Sequence, residues 1–183
     1  RIITSICLMF HLILMFFYTY ILIISLIVIA IIAWIEFYAL ISKILWEESF
    51  KNKILRFVYK TMSLIYLSSI VYMIIITKSK NIDLEMIIVY SIFISIMSDI
   101  GGLIIGKVFK GKKLTKISPK KTISGSLGSF MFSLFLIPFS INYLPGYSIL
   151  TLIFMTLIIS LTSQIGDLFI SFLKRKAKVK DTS

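Results

Sequence analysis

Long apolar runs separated by short polar connections set the pattern of this chain. Six stretches stand out, Ile2–Tyr18, Tyr20–Ser42, Phe57–Thr77, Met86–Gly106, Thr122–Asn142 and Tyr147–Leu173. A hydrocarbon layer of about 30 Å is crossed by about 20 apolar residues in a helix, because each residue rises about 1.5 Å. Lipid offers no partners to backbone N–H and C=O groups, so each run satisfies its own backbone by forming a helix. The pattern therefore predicts an all-α, polytopic transmembrane bundle of about six spans. No internal repeat or low-complexity linker divides it, and residues 1–183 read as a single integral-membrane domain. The first run lacks a small-residue cleavage pattern and a second span follows almost at once, so it is expected to be retained rather than removed as a signal. A first residue of Arg rather than Met leads us to expect a partial chain.

Composition sharpens this picture. Hydrophobic residues make up 58% of the chain and charged residues 15%, which excludes an ordinary soluble domain. The polar connections are strongly basic, giving a net charge of +12. Arg1, the group from Lys43 to Lys60, the group from Lys107 to Lys121 and the group from Lys174 to Lys180 fall on alternate sides of the six spans; only Lys78 and Lys80 fall opposite. Short loops rich in Lys and Arg stay cytoplasmic, so the amino terminus, both basic loops and the carboxyl-terminal tail are expected there. The aromatic residues lie in the spans rather than among the basic residues, which argues against nucleic acid as a partner and for anionic lipid headgroups. Cys7 has no second cysteine to pair with, and His11 has no second His or carboxylate nearby; both read as packing residues.

Most acidic residues sit in loops or the tail, but Glu36, Asp99 and Asp167 fall inside spans. A carboxylate there costs a few kcal/mol unless it is paired, protonated or open to a wet cavity, so all three are functional candidates. Asp99 precedes Lys107 by eight residues and Asp167 precedes Lys174 by seven. Both therefore lie roughly 10 to 12 Å below the basic face. Two carboxylates at one depth on different helices, roofed by lysines, suit a divalent cation held against phosphates. The competing reading is a structural pair with Lys or Ser. Glycine flanks both acids, in Ser98-Asp99-Ile100-Gly101-Gly102 and in Gln164-Ile165-Gly166-Asp167-Leu168, where it permits close approach of a helix or a ligand. Between them runs Gly106-Lys107-Val108-Phe109-Lys110-Gly111-Lys112-Lys113-Leu114, then Ser118-Pro119-Lys120-Lys121-Thr122. Its lysines offer mobile charges to phosphate oxygens. Ser118 is expected to cap the following helix, with Pro119 at its first position and the positive end of that helix facing an anion.

The order of these features resembles the phosphatidate cytidylyltransferase (CDP-diacylglycerol synthase) family. Its signature, Ser, any residue, an aliphatic, Lys-Arg, four residues, Lys-Asp, any residue and a small residue, fits Ser171 to Ser183 throughout. Ser98 to Gly128 is similar to the family's Asp-containing helix and Ser-Pro-Lys-Lys-Thr region, while Trp34-Ile35-Glu36-Phe37-Tyr38 matches weakly. The chain departs from the family pattern at Ile170, where Glu is common, and at Ile123, where Trp is common. It also stops at Ser183, before the family's His-Gly-Gly and Asp-Arg segment, and is expected to be incomplete at that end.

The resemblance implies transfer of CMP from CTP to phosphatidic acid, giving CDP-diacylglycerol and pyrophosphate, in a bacterial-type inner (cell) membrane. It implies Mg²⁺, with scope for a second metal ion, and is compatible with a homodimer. On this basis Asp167 and Asp99 are the metal candidates. Lys174, Arg175 and Lys180 are phosphate-neutralising candidates and Asp181 a supporting or metal-binding one, while Asp99, Lys107, Ser118, Lys120, Lys121 and Thr122 line the substrate cleft. A small cation- or proton-coupled transporter using Asp99 and Asp167 is the alternative, as is another lipid-linked nucleotidyl or phosphoryl transferase.

Overall fold

The computed structural model describes residues 2–80, 82–115, 118 and 121–179. Its elements are α1 (Ile2–Phe17), α2 (Thr19–Ile44), α3 (Phe50–Lys80), α4 (Ile82–Phe109), α5 (Ile123–Leu134), α6 (Ile137–Ser140) and α7 (Ile149–Lys176). Among the described residues there is no strand, only an isolated bridge between Lys113 and Thr122. Five segments are long and apolar enough to cross a membrane: Thr19–Ile44, Phe50–Thr77, Glu85–Phe109, Ile123–Ser140 and Ile149–Lys176. The all-α, multi-pass membrane architecture is thereby established. The first expected span is a shorter apolar helix, α1, of 16 residues.

Two boundaries differ from expectation. α3 begins at Phe50, seven residues before the apolar run, because Lys51, Lys53 and Arg56 belong to residue types that favour helix and continue it past the apolar boundary. The fifth span is interrupted: α5 ends at Leu134 and helix resumes at Ile137 as the four-residue α6. Pro138 is the cause. Its ring opposes the carbonyl four residues back, that of Leu134, and it has no N–H to offer it. The backbone tightens there, with Leu136 N–H donating to the Ser133 carbonyl at 3.1 Å.

The helices group into two units, α1–α3 and α4–α7. In the first, His11 Nε2 lies 2.9 Å from Ser25 Oγ, and the Trp34 indole N–H donates to the Lys60 carbonyl at 3.2 Å. The second unit has a core of Tyr90, Ile94, Ile137, Leu144 and Leu152. Its tightest contact joins α4 to α5 through glycine. A Cβ on Gly101 would sit 2.4 Å from the Gly128 carbonyl oxygen, and one on Gly128 would sit 2.4 Å from Ile105 Cβ. Backbones approach this closely only where side chains are absent.

Hydroxyl groups hold α7 to this pair. Ser98 and Ser160, both fully buried, meet at 3.0 Å, and the Tyr90 hydroxyl meets Thr156 Oγ1 at 2.6 Å. Ser129 Oγ donates to the Ser98 carbonyl at 2.7 Å. Within a membrane, interhelical hydrogen bonds of this kind contribute about 0.6 kcal/mol each. Ser160→Ala is therefore expected to lower the melting temperature of the detergent-solubilised protein slightly without unfolding it, measurable by circular dichroism.

Candidate active site

The site is assembled where the start of α5 meets the second half of α7. Just beyond α4, Lys110 and Gly111 take φ values of 49° and 103° and reverse the chain. Glycine is the residue that tolerates such a φ without a Cβ clash. The two arms of the connection then pair: Leu114 N–H donates to the Lys121 carbonyl at 2.8 Å, and Ile123 N–H donates to the Lys112 carbonyl at 3.0 Å. Ser124 Oγ donates to the Lys110 carbonyl and closes the base of the loop. The two backbone bonds hold residues 112–114 against 121–123.

This fold-back carries Lys121 to α7, where its ammonium lies 3.0 Å from Asp167 Oδ2. The pair is open, with Asp167 57% exposed and Lys121 31% exposed. Asp99, on α4, is within electrostatic range of both Asp167 and Lys121. Three charged residues far apart in sequence therefore share one locality, with Lys121 bonded to Asp167. Lys107 is exposed in the last turn of α4. Glu36 is exposed on α2, within the α1–α3 unit.

The cap of α5 differs from expectation. The helix starts at Ile123 with Thr122 as its N-cap, whose Oγ1 accepts from Gly125 N–H at 3.1 Å and lies 3.1 Å from Ser124 Oγ. Ser118 is instead a turn residue, its N–H donating to Thr115 Oγ1 at 3.2 Å and its carbonyl accepting from Lys121 N–H at 3.1 Å. The backbone pairing of residues 112–114 with 121–123 keeps the segment extended, so helix cannot begin until after it.

On α7, Ser160, Gln164, Asp167, Ser171 and Lys174 recur every three or four residues and so share one face. Ser160 and Gln164 anchor that face: the Gln164 amide N–H donates to Ser160 Oγ at 3.4 Å, and Gln164 Oε1 accepts from Ser126 Oγ of α5. Asp167 follows one turn later and is positioned by this anchorage. Gly166 beside it has nothing within 4 Å of where a Cβ would be, so here glycine leaves open space rather than a packing contact. The helix ends with half-buried Lys174 and exposed Arg175 in its last turn. Val179 N–H bonds back to the Lys174 carbonyl at 3.0 Å and Lys178 N–H to that of Arg175 at 3.1 Å. This Schellman arrangement fixes the basic end, with Lys178 in the left-handed conformation at φ 54°. Lys120, Lys180 and Asp181 lie outside the described residues.

Gln164, Ser126, Ser129 and Ser160 were not singled out as positioning residues from the sequence. A signal existed in the polar stripe Thr156, Ser160, Gln164, which recurs every four residues along an otherwise apolar helix. Among the described residues no three His, Cys, Asp or Glu side chains gather into a metal cage. The carboxylates of Asp99 and Asp167 are oxygen donors of the type that Mg²⁺ takes, commonly one or two together with substrate phosphates and waters.

Known proteins resemble this chain in sequence. The chain matches the model of the cytidylyltransferase family over residues 1–183. It is 39% identical over 93 residues to a protein of Rickettsia conorii named phosphatidate cytidylyltransferase, covering 46% of this chain and 40% of that one. It is 42% identical over 86 residues to the protein of that name from Rickettsia felis, covering 42% and 37%. The Staphylococcus aureus protein of that name is 38% identical over 98 residues, covering 52% and 37%. The chain thus matches about two fifths of the length of these relatives. No solved structure matches. With a family match along all 183 residues, this chain belongs to the cytidylyltransferase family.

Proposed function

We propose that this chain forms the nucleotide-transfer part of a CTP:phosphatidate cytidylyltransferase, making CDP-diacylglycerol in a bacterial-type inner membrane. The observation that carries the proposal is the convergence of Asp99, Lys121 and Asp167, with Lys174 on the same face of α7 as Asp167. It is supported by the name that the relatives in Rickettsia and Staphylococcus share. Lys121 and Lys174 offer donors and positive charge for phosphate oxygens, while Asp99 and Asp167 offer oxygen ligands for a cation that accompanies the triphosphate.

The reaction forms a bond between a phosphatidate phosphate oxygen and the α-phosphorus of CTP. The bond from that phosphorus to the β-phosphate bridging oxygen breaks, and pyrophosphate leaves with the electron pair. Little covalent help from protein is required; the protein supplies in-line positioning and charge neutralisation. Bound Mg²⁺, held by Asp99 and Asp167, would supply charge neutralisation on the phosphates. Arg175, Lys180 and Asp181, and the basic loop with Lys107, Ser118, Lys120 and Thr122, are assigned to the surroundings of the substrate phosphates. The basic loop and tail face the cytoplasm in this reading, where CTP is available, and phosphatidate enters sideways with its acyl chains still in lipid.

The test is CTP- and Mg²⁺-dependent formation of CDP-diacylglycerol in membranes containing the full gene product. Product is expected, and Lys174→Ala is expected to lower its rate about 10- to 100-fold, the worth of one charge-assisted contact. No product from folded protein would overturn the proposal in favour of a cation- or proton-coupled transporter or another lipid-linked transferase.

A further inference from the structure

α2 and α3 leave between them a groove of about 300 Å³ whose walls are almost wholly apolar. Ile27, Ala30 and Ile31 line one side, and Leu64, Leu67 and Val71 the other, with Trp34 also in the lining. The Lys60 ammonium lies 5.3 Å from the centre of the Trp34 ring and 4.8 Å from that of Tyr38. The Trp34 N–H bond to the Lys60 carbonyl locks the indole to the same turn of α3. Lys60 is therefore held beside a groove-lining ring by two aromatic faces.

The sequence of α3 places this lysine at a boundary. Lys53, Arg56 and Lys60 recur at intervals of three and four residues, and Leu64, Leu67 and Val71 continue that spacing. One stripe of the helix thus passes from cationic to apolar. Ring faces attract the ammonium but accept none of its three N–H donors in the way an anionic oxygen does. Among the described residues Lys60 has no carboxylate partner within ion-pair distance. A bilayer phospholipid with a net negative headgroup presents the matching order, phosphate first and acyl chain after it.

We propose that the α2–α3 groove binds an anionic glycerophospholipid of the bilayer, with its phosphate at Lys60 and one acyl chain along the groove. This site uses none of the residues assigned to nucleotide transfer, and it does not depend on that assignment.

The groove contains its own reporter, since Trp34 lines it and the chain has two tryptophans. With Trp34 as the sole tryptophan of the full chain, its fluorescence is measured in bilayers titrated with phosphatidylglycerol or phosphatidylcholine carrying brominated acyl chains. Phosphatidylglycerol is expected to quench at about fivefold lower mole fraction, the worth of one interfacial lysine. Lys60→Gln is expected to abolish that preference and Lys60→Arg to keep it. Equal quenching by the two lipids, or a preference unchanged in Lys60→Gln, would overturn the proposal. Absence of quenching by either would also overturn it, by showing that protein covers the groove. The readout involves no product formation, so failure here is separable from failure of the cytidylyltransferase proposal.

Discussion

Asp167→Asn is expected to lower CTP-dependent formation of CDP-diacylglycerol about 10²- to 10³-fold while leaving the protein folded and membrane-inserted. The substitution keeps the shape of the side chain and removes its charge. Structural loss is small, because the Asp167 side chain is more than half exposed and its ion pair with Lys121 is open. Open ion pairs contribute about 0–1 kcal/mol to stability. Functional loss is large, because a charge that positions a cation or lysine against a reacting phosphate acts at full strength only in the reaction, where removal of one such group costs about 10²- to 10³-fold. Rates measured at matched expression, with melting temperatures beside them, separate the two effects. If Asp167→Asn loses stability and activity in proportion, the pair with Lys121 is structural, and that outcome would remove Asp167 from the site.

Gly128→Ala is expected to destabilise the α4–α7 unit by about 1–3 kcal/mol, the usual cost of forcing a methyl group into a filled contact. The methyl carbon would lie 2.4 Å from Ile105 Cβ and 2.7 Å from the Gly101 carbonyl oxygen. Neither neighbour can swing aside, since one atom is backbone and the other sits at the root of a branched side chain. The helices must separate, and the Ser129 bond to the Ser98 carbonyl lengthens with them. Gly166→Ala is the matched control. Beyond its chain neighbours and its own helix backbone, no atom lies within 4 Å of its Cβ position, and alanine favours helix over glycine by about 1 kcal/mol, so stability is expected to hold or rise. Thermal unfolding of the two variants in one detergent checks the contrast, and equal melting temperatures would contradict the glycine contact between α4 and α5.

The candidate site was only partly legible in the chain. Asp99 and Asp167 could be picked out because a carboxylate in an apolar run has a cost that must be met somehow. That Lys121 meets Asp167 could not, since 46 residues separate them and the meeting depends on how the loop after α4 folds back. The Ser118 cap failed for the same reason. A Ser-Pro pair is a sound local start signal, but the pairing of Leu114 with Lys121 and of Ile123 with Lys112 keeps the chain extended past it and hands the cap to Thr122.

What the sequence determined by itself was the solvent and the architecture: apolar runs of membrane length leave no choice but helices, and the family's order of Asp, basic loop, Asp and basic end is written in the chain. What only the tertiary structure decided was which charges meet. Helix formation is a local matter of hydrogen bonds four residues apart, so composition and period suffice to read it. Convergence of Asp99, Lys121 and Asp167 depends instead on the glycine contact between α4 and α5 and on the Ser98–Ser160 and Ser126–Gln164 bonds to α7. Those contacts fix the relative rotation and height of separate helices, quantities that no stretch of sequence contains.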